Sequence, residues 1–571
     1  MTRNFVDCTA GAWTQILHRF RPARVYFILL TLLVAAGMIP LLMPGIPKGH
    51  DLNFHLNRLA ALAEGLKAGH FPVWINFNAL EGFGYGTGLF YPDLYLYFPA
   101  SLAALGISTL AAYKILLFGW SLFTAWSMFH AARRISGDAF AAFCAALLYS
   151  ISSFYAVDVF TRAALGEVLA FPFLPWIMLG LWEIIYAKPE NFYPLTLGFA
   201  GLYYAHQISF VLAGIIAFLW CLLNVRRFLR EPRRIFYLAT AALFGGMLVL
   251  AAAAPMLEQL RSIKFNLTGH TMTSPLAQRA VPLTRLVLEL PYMKTAYWLP
   301  PGIGIVLVLA AVQRFRFKST GSAMERFRDV CLITGLFSLL AATEFLPWEG
   351  MFRMLAAIQF PWRFYLPATA FLALGGGLTI GTLAGRSMKR RRNWLFILLF
   401  GCWFAYGFNV CYTYAAKIHE KNIAYGVDDS VTSGEVSGLH YVPRGVSLDR
   451  IAARGKGVIF PDGAPGIMEY NAVTHELSYS GATGGETVEF PLIPYVGYTV
   501  EFNAEGRHLK LPVDATSGFL RARLPDCPSG TVTAAFTGTM IQKYAPAASA
   551  MILVILLVMR MLCFRKRCSA K

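Results

Sequence analysis

Charge-poor apolar runs recur along this 571-residue chain, at lengths that approach those needed to cross a lipid bilayer. An α-helix needs about 20 apolar residues to span the hydrocarbon core, so the pattern predicts a polytopic α-helical membrane protein with about 12 spans. The two runs that flank His206 form either two spans or one bent helix. The predicted spans are Tyr26–Met43, Leu110–Ala131, Ala139–Val157, Val168–Tyr186, Phe192–Ala205, Gln207–Asn224, Ile235–Ala254, Trp298–Val312, Val330–Phe345, Phe364–Ala384, Trp394–Tyr412 and Pro546–Met559.

A polar segment between the last two runs has a different periodicity. Apolar and polar residues alternate in short stretches that are separated by Gly and Pro, which is typical of β-strands. The stretches are Glu476–Ser480, Thr487–Phe490, Tyr498–Phe502 and Thr531–Phe536. The chain is therefore predicted to have three parts: a transmembrane domain at 1–412 with a first outward loop at 44–109, an extracytoplasmic β-sandwich at 413–545, and a final span with a basic tail at 546–571.

Composition and charge support this topology. Apolar residues make up 57% of the chain and charged residues 14%, whereas soluble domains carry about 25% charged residues. The net charge of +19 comes largely from Arg and Lys clusters beside alternate ends of the runs, such as Arg226–Arg234 and Lys389–Arg392. By the positive-inside rule these clusters and both termini are cytoplasmic. No nucleic-acid partner is expected, because the clusters are not interleaved with aromatic residues that could stack on bases.

Ionisable residues collect at the opposite, outward ends of the runs. They are His50, Asp51, His55 and Arg58 after the first run, Asp158, Arg162 and Glu167 after the third, His206 farther on, and Arg363 before the tenth, where the neutral Gln359 accompanies it. Nine scattered cysteines without a Cys-x-x-Cys pair indicate neither a disulfide framework nor a zinc site.

This collection suits group transfer from a lipid-linked phosphate. Asp51 is the candidate base for an acceptor hydroxyl. Arg58 and Arg162, with His55 or Arg363, are candidates to bind the phosphate, since a guanidinium can bind it bidentately. Asp158 and Glu167 are suited to holding the acceptor, orienting an arginine or binding a divalent metal, so the requirement for a metal stays open.

Each of these residues also has a structural interpretation. Asp51 is a possible cap for a helix that begins at Leu52. Asp158 and Arg162 are four residues apart, which is the spacing of a helical ion pair. His206 is a polar break between two apolar runs. The glycine-rich stretch Gly82–Gly88 lacks the preceding strand and the Lys-Ser/Thr pair of a phosphate-binding loop, so it is a weak nucleotide motif.

The order of several short motifs resembles that of the bacterial YfhO-like, or 6-pyruvoyl-tetrahydropterin synthase-related, membrane proteins, which are assigned to the GT-C superfamily of glycosyltransferases. The motifs extend over nearly the whole chain. They are His50-Asp51 with His55 and Arg58, Gly69–Trp74, Gly84–Gly86 with Phe90–Pro92, Arg162–Glu167, Ala205–Gln207, Gln359–Phe364 and Pro491–Tyr498.

The resemblance implies a GT-C-like fold in the bacterial inner membrane, with an extracytoplasmic active site. It implies inverting transfer of a sugar from a polyprenyl-phosphate donor to a cell-envelope glycan, lipid or protein, with Asp51 as the base. Asp158 and Glu167 are the further candidate catalytic residues. The candidate substrate-binding residues are His50, His55, Arg58, Arg162, His206, Gln359 and Arg363. A transporter or flippase of a lipid-linked saccharide is the main alternative, and a scaffold that binds glycan through its β-rich domain is another.

Overall fold

The computed structural model describes residues 23–269, 276–283, 305–316, 320–348, 358–385, 389–426, 439–459, 468–471, 474–482, 485–504, 506–526 and 530–569. The chain divides into two compact units. The first unit comprises Met1–Leu52, Lys114–Gly245 and Met272–Tyr425, and the second unit comprises Asn53–Tyr113, Gly246–Thr271 and Gly426–Lys571. The predicted division at residues 412 and 545 stays a prediction.

Six helices in the described ranges are long and apolar enough to cross a membrane. They are Thr109–Ser136, Ala139–Arg162, Leu165–Tyr186, Pro361–Ala384, Asn393–His419 and Met540–Leu562. A seventh span would be formed by Arg233–Leu248 and Leu250–Ser262, which are bent by 67° at their junction. All seven fall on predicted runs. The start of the predicted span Trp298–Val312 lies outside the described residues, and the total of about 12 spans stays a prediction.

In its described residues the first unit is helical apart from one small two-stranded sheet, in which β1 (Ile46–Pro47) pairs antiparallel with β2 (Ile423–Ala424). Small residues let its apolar helices approach closely, as is common in membrane proteins. A Cβ on Gly377 would lie 2.4 Å from the backbone of Ala145, and one on Gly381 would lie 2.3 Å from Ala141 Cβ. The shorter helices of this unit include Ala23–Gly37, Ser153–Val157, Tyr193–Ala205, Gln207–Leu223, Val225–Arg230, Ile305–Val312 and Ala323–Ala341.

The second unit contains the β-rich region. Its strands are β3 (Met468–Asn471), β4 (Glu476–Ala482), β5 (Thr487–Phe490), β6 (Tyr498–Ala504), β7 (Arg507–Leu511), β8 (Val513–Asp514), β9 (Leu520–Arg523) and β10 (Gly530–Phe536). Five strands form one antiparallel sheet in the order β3-β4-β10-β6-β7, and three form another in the order β5-β9-β8. The four predicted strands correspond to β4, β5, β6 and β10.

Alternation along these strands supplies a shared apolar core. In β6 the residues at every second position, including Val500 and Phe502, are buried, as are Val488 of β5 and Val532 of β10. Both sheets contribute to one hydrophobic cluster. The helices of this unit include Leu52–Lys67, Thr87–Phe90, Tyr97–Ala104, Leu250–Ser262, Asn266–Gly269, Leu448–Arg454 and Met540–Ser569. The predicted C-terminal β-rich region is present. Its arrangement as a sandwich and its extracytoplasmic side stay predictions.

Candidate functional site

The backbone that carries Asp51 is anchored at both ends within the first unit. On one side, β1 pairs with β2, and the N–H of Lys48 donates to the carbonyl of Asn422 at 3.0 Å. On the other side, the N–H of Asp51 donates to the carbonyl of Arg162 at 3.2 Å. Asp51 is thereby held beside the end of the apolar segment Ala139–Arg162, although more than 100 residues separate the two positions in the sequence.

Gly49 permits this close approach. A Cβ at this position would lie 2.5 Å from both the carbonyl carbon and the carbonyl oxygen of Arg162. A backbone neighbour cannot rotate away as a flexible side chain can, so any larger residue must displace one of the two segments.

Gly49→Ala is therefore expected to destabilise the protein by about 1–3 kcal/mol and to reduce its activity, because the substitution moves Asp51 away from Arg162. Thermal unfolding in detergent micelles measures the first effect. Gly119→Ala is the matched control, because nothing lies within 4 Å of a Cβ on that helical glycine. The control is expected to be neutral or slightly stabilising. Equal unfolding temperatures for the two variants would contradict the role given to Gly49.

A buried network of charges lies at the same place. Residues Asp158–Arg162 form a π-helical turn, and Ala163 then adopts a left-handed conformation with φ 53°. This turn brings Arg162 between two carboxylates: its Nη1 lies 2.6 Å from Asp158 Oδ1, and its Nη2 lies 3.2 Å from Glu167 Oε1. Asp158 is 0% exposed and Glu167 is 3% exposed. π-Turns of this kind are frequent at functional sites.

Arg363 joins the network from another helix. Its Nε lies 3.6 Å from Glu167 Oε1, while its Nη1 donates to the side chain of Gln359 at 2.9 Å and to the carbonyl of Ile358 at 2.7 Å. Gln359 itself has a positive φ of 66°, an unusual conformation for a residue other than glycine. Gln359 therefore orients Arg363, and two guanidinium groups balance two carboxylates in this buried network.

Asp51 and His50 are exposed, in contrast to the network behind them. Although its surface is open to solvent, Asp51 lies among enough protein atoms that desolvation raises its pKa, and the Arg162 guanidinium opposes that rise only in part. Desolvation, aided by the charge of Arg162, lowers the pKa of His50, so His50 is neutral at pH 7. Asp51 is thus a solvent-accessible carboxylate with more basic character than a free aspartate.

One carboxylate oxygen of the network accepts no hydrogen bond from the described residues. Asp158 Oδ2 is buried and has no hydrogen-bond partner within the described part of the chain. The i,i+4 ion pair that the spacing of Asp158 and Arg162 suggested is present, but Glu167 also binds Arg162. Both carboxylates thus contact the guanidinium that the sequence had marked as a candidate to bind phosphate.

His206 lies at a break between the helices Tyr193–Ala205 and Gln207–Leu223. Its Nδ1 is 2.7 Å from the hydroxyl of Ser209, and the residue is 8% exposed. It is close enough to influence Glu167 electrostatically. His206 therefore both interrupts the apolar segment and lies near the charge network.

His55 and Arg58 belong to the second unit and have a different partner. Arg58 makes a short ion pair with Asp93, contacts His55 Nδ1 at 3.3 Å, and lies 4.1 Å from the centroid of the Tyr91 ring. Burial raises the pKa of Asp93, while Arg58 opposes this rise. Asp93 was not predicted as a partner from the sequence. The sequence did contain a signal that could have indicated Asp93. It is the only acidic residue between Glu81 and Asp138, and it lies in a stretch rich in aromatic residues.

No group of three or more His, Cys, Asp or Glu side chains is arranged to hold a metal ion in the part of the chain that the structure describes. Asp158 and Glu167 instead share Arg162. In this geometry the two carboxylates bind the guanidinium group of Arg162.

No family model matches the chain. An uncharacterized protein of Lactococcus lactis subsp. cremoris (strain MG1363) is 23% identical over 611 residues, which cover 93% of this chain and 94% of the relative. The similarity therefore extends along nearly the whole of both proteins.

Two solved structures of an archaeal oligosaccharyltransferase from Archaeoglobus fulgidus are similar at 12% identity. The complex of AglB with an inhibitory peptide and a dolichol-phosphate has a TM-score of 0.32 and covers 72% of this chain, and the apo form has a TM-score of 0.33 and covers 71%. This chain spans 57% of the length of either structure. These TM-scores are too low to support a functional conclusion, which depends instead on the residues of this chain. Those residues define a helical chain with several membrane-length apolar segments and a C-terminal β-rich region.

Proposed function

We propose that this protein is an integral membrane glycosyltransferase that transfers a sugar from a polyprenyl-phosphate donor to a cell-envelope acceptor on the extracytoplasmic face. The observation that carries the proposal is the placement of Asp51. An exposed carboxylate with a raised pKa is anchored through its backbone to Arg162, beside a buried and charge-balanced network at the end of an apolar helix. The motif resemblance gives the same residue the role of base.

The chemistry assigned to Asp51 is general base catalysis. Its carboxylate takes the proton of an acceptor hydroxyl as the hydroxyl oxygen attacks the anomeric carbon of the donor sugar. The bond from that carbon to the phosphate oxygen breaks, and polyprenyl phosphate leaves with the bonding electrons. In this proposal Arg162 is a positioning residue, because both nitrogens of its fork contact carboxylates. Arg363, oriented by Gln359, supplies positive charge for the leaving phosphate.

The test is transfer of radiolabelled sugar from polyprenyl-phosphate donors into cell-envelope acceptors. Membranes with the wild-type protein are compared with membranes that contain Asp51→Asn, and with membranes that lack the protein. Label that depends on the protein and is lost in the variant supports the proposal. Equal labelling by wild type and variant would remove Asp51 as the base, and no labelling above the protein-free membranes would argue against a transferase.

The buried network also favours a second candidate, a transporter or flippase of lipid-linked saccharides. Ionisable residues buried within apolar helices are common in transport pathways. Asp158, Arg162, Glu167 and Arg363 all lie in helices of membrane-spanning character. Reconstitution in liposomes separates the two functions, since a transporter moves the labelled lipid-linked saccharide between leaflets without forming a new glycosidic bond.

The raised pKa of Asp51 predicts a particular pH dependence of transfer. The base acts only when ionised, so the rate is expected to fall as the pH decreases through the pKa of Asp51. Because desolvation raises that pKa, this fall should occur at a higher pH than the value of about 3.9 for a free aspartate. The measurement is kcat/KM between pH 4 and 8, with unfolding temperatures at each pH to exclude acid denaturation. A rate independent of pH down to pH 4 would contradict the assignment.

A further inference from the structure

A cavity of about 390 Å³ opens within the second unit, at residues outside the set of candidate site residues predicted from the sequence. Its walls come from the helix Leu52–Lys67, the segment His70–Asn78, the turn before β4 and the beginning of the helix Met540–Ser569. Small-molecule sites in proteins have volumes of about 300–1,000 Å³. The cavity therefore has room for a ligand larger than water, such as one or two sugar rings.

Aromatic side chains line one part of the cavity. They include Phe71, Trp74, Phe77 and Phe536. Phe71 is 72% exposed, so its ring is accessible to a ligand in the cavity. Phe77 stacks on the imidazole of His475, with ring centroids 4.0 Å apart and planes 12° from parallel. The negative face of an aromatic ring attracts weakly positive C–H groups, which sugar rings present on one face.

Polar groups line the rest of the cavity. Asn78 donates to Glu64 Oε2 at 2.7 Å, and Asn76, Thr537 and Lys543 also contribute to the lining. The opposite charges of Glu64 and Lys543 balance one another. Burial, with the nearby His70, lowers the pKa of His475 to about 4, so His475 is neutral at pH 7. A surface with many hydrogen-bonding groups and little net charge suits a neutral ligand rich in hydroxyl groups.

Two glycines fix the aromatic wall. A Cβ on Gly88 would lie 2.6 Å from the carbonyl oxygen of Val73 and 3.0 Å from that of Trp74. A Cβ on Gly65 would lie 2.6 Å from the side chain of Val73. The N–H of Val73 also donates to the hydroxyl of Tyr97 at 2.8 Å. The glycine-rich stretch that ends at Gly88 thus lets the chain approach the backbone beside Trp74, and this pre-forms the cavity.

We propose that this cavity binds a neutral oligosaccharide, with Trp74 and Phe77 stacking on sugar rings and with Asn76, Asn78 and Lys543 bonding to hydroxyl groups. The inference goes beyond the proposed transfer reaction, because binding at this cavity requires neither Asp51 nor a polyprenyl-phosphate donor. A saccharide bound here is held by the protein whether or not the transfer chemistry takes place.

The test uses the full-length protein in detergent micelles and three neutral probes: maltohexaose, cellohexaose and chitohexaose. Isothermal titration and saturation-transfer NMR measure binding. The wild type is expected to bind at least one probe, and Trp74→Ala is expected to weaken that binding by about tenfold or more. Trp74→Phe should recover part of the affinity, since it restores an aromatic face. Trp394→Ala is the matched control, because Trp394 is 62% exposed on a helix of the first unit and does not line the cavity.

Three results would overturn the proposal: no binding of any probe by the wild type, equal affinities for wild type and Trp74→Ala, or binding of uridine or adenosine diphosphate in place of the sugars. Unfolding temperatures show whether Trp74→Ala is folded. Asp51→Asn separates this inference from the proposed function. It should bind the saccharide with the affinity of the wild type even though its transfer activity is lost.

Discussion

Asp51→Asn is expected to lower the rate of sugar transfer by about 10²–10⁴-fold, which is the usual contribution of a general base. Asparagine preserves the size of the side chain and cannot accept the proton. The thermal unfolding temperature should stay close to that of the wild type, since Asp51 is exposed and its structural contact is made by its backbone N–H. The measurement combines single-turnover transfer of labelled sugar with thermal unfolding of the same samples.

A pair of variants at this position distinguishes catalysis from helix capping. The helix Leu52–Lys67 begins directly after Asp51. Asparagine caps helices about as well as aspartate does, whereas alanine costs about 0.5–2 kcal/mol at such a position. If Asp51 acts only as a cap, Asp51→Asn keeps full activity and Asp51→Ala loses stability. If it is the base, both variants lose transfer. Asp449→Asn, at an exposed acid in the helix Leu448–Arg454, is the control for the change of residue type.

Arg162→Met is expected to destabilise the protein by about 3–5 kcal/mol, because it leaves the buried carboxylates of Asp158 and Glu167 without their shared cation. Methionine retains much of the volume of the arginine stem, so the effect reports on charge more than on packing. Thermal and denaturant unfolding in detergent micelles measure it. Arg226→Met, at an exposed position, should change stability by less than about 0.5 kcal/mol.

A second substitution tests whether the loss of stability in Arg162→Met is caused by unbalanced charge. Removal of Arg162 leaves Arg363 with two carboxylates, and adding Asp158→Asn restores one cation to one anion. The double variant Arg162→Met/Asp158→Asn should therefore be more stable than Arg162→Met alone, as a double-mutant cycle would show. Additive losses of stability would mean that the two residues act independently, contrary to the 2.6 Å contact between them.

Some elements could be predicted because their signal is local. The helices Thr109–Ser136, Leu165–Tyr186 and Met540–Leu562 follow from predominantly apolar composition, which is a property of each segment alone. The strands β5 and β6 follow from alternation over neighbouring residues. By contrast, β7 has four exposed residues in succession and β8 has only two residues, so neither carries a pattern that could be recognised in isolation.

The candidate site likewise has features that the sequence predicts and features that only the fold shows. The sequence by itself determined that Asp51, Arg162, Glu167 and Arg363 lie at the ends of apolar segments, because membrane-length runs and the charges beside them can be read from composition. Only the tertiary structure decided which of these charges meet. Arg363 reaches Glu167 across about 200 positions of the sequence, and Gly49 allows Asp51 to contact the carbonyl of Arg162.

The ion-pair partner of Arg58 could not be predicted from the sequence either. Asp93 lies 35 residues beyond Arg58, and only the fold brings the two side chains together. The physical reason is that apolar and alternating patterns act over a few residues, whereas an ion pair depends on how distant segments pack. The sequence thus determined that the chain has several membrane-length apolar helices with ionisable groups at their ends, and the fold decided which group is exposed and which groups neutralise one another.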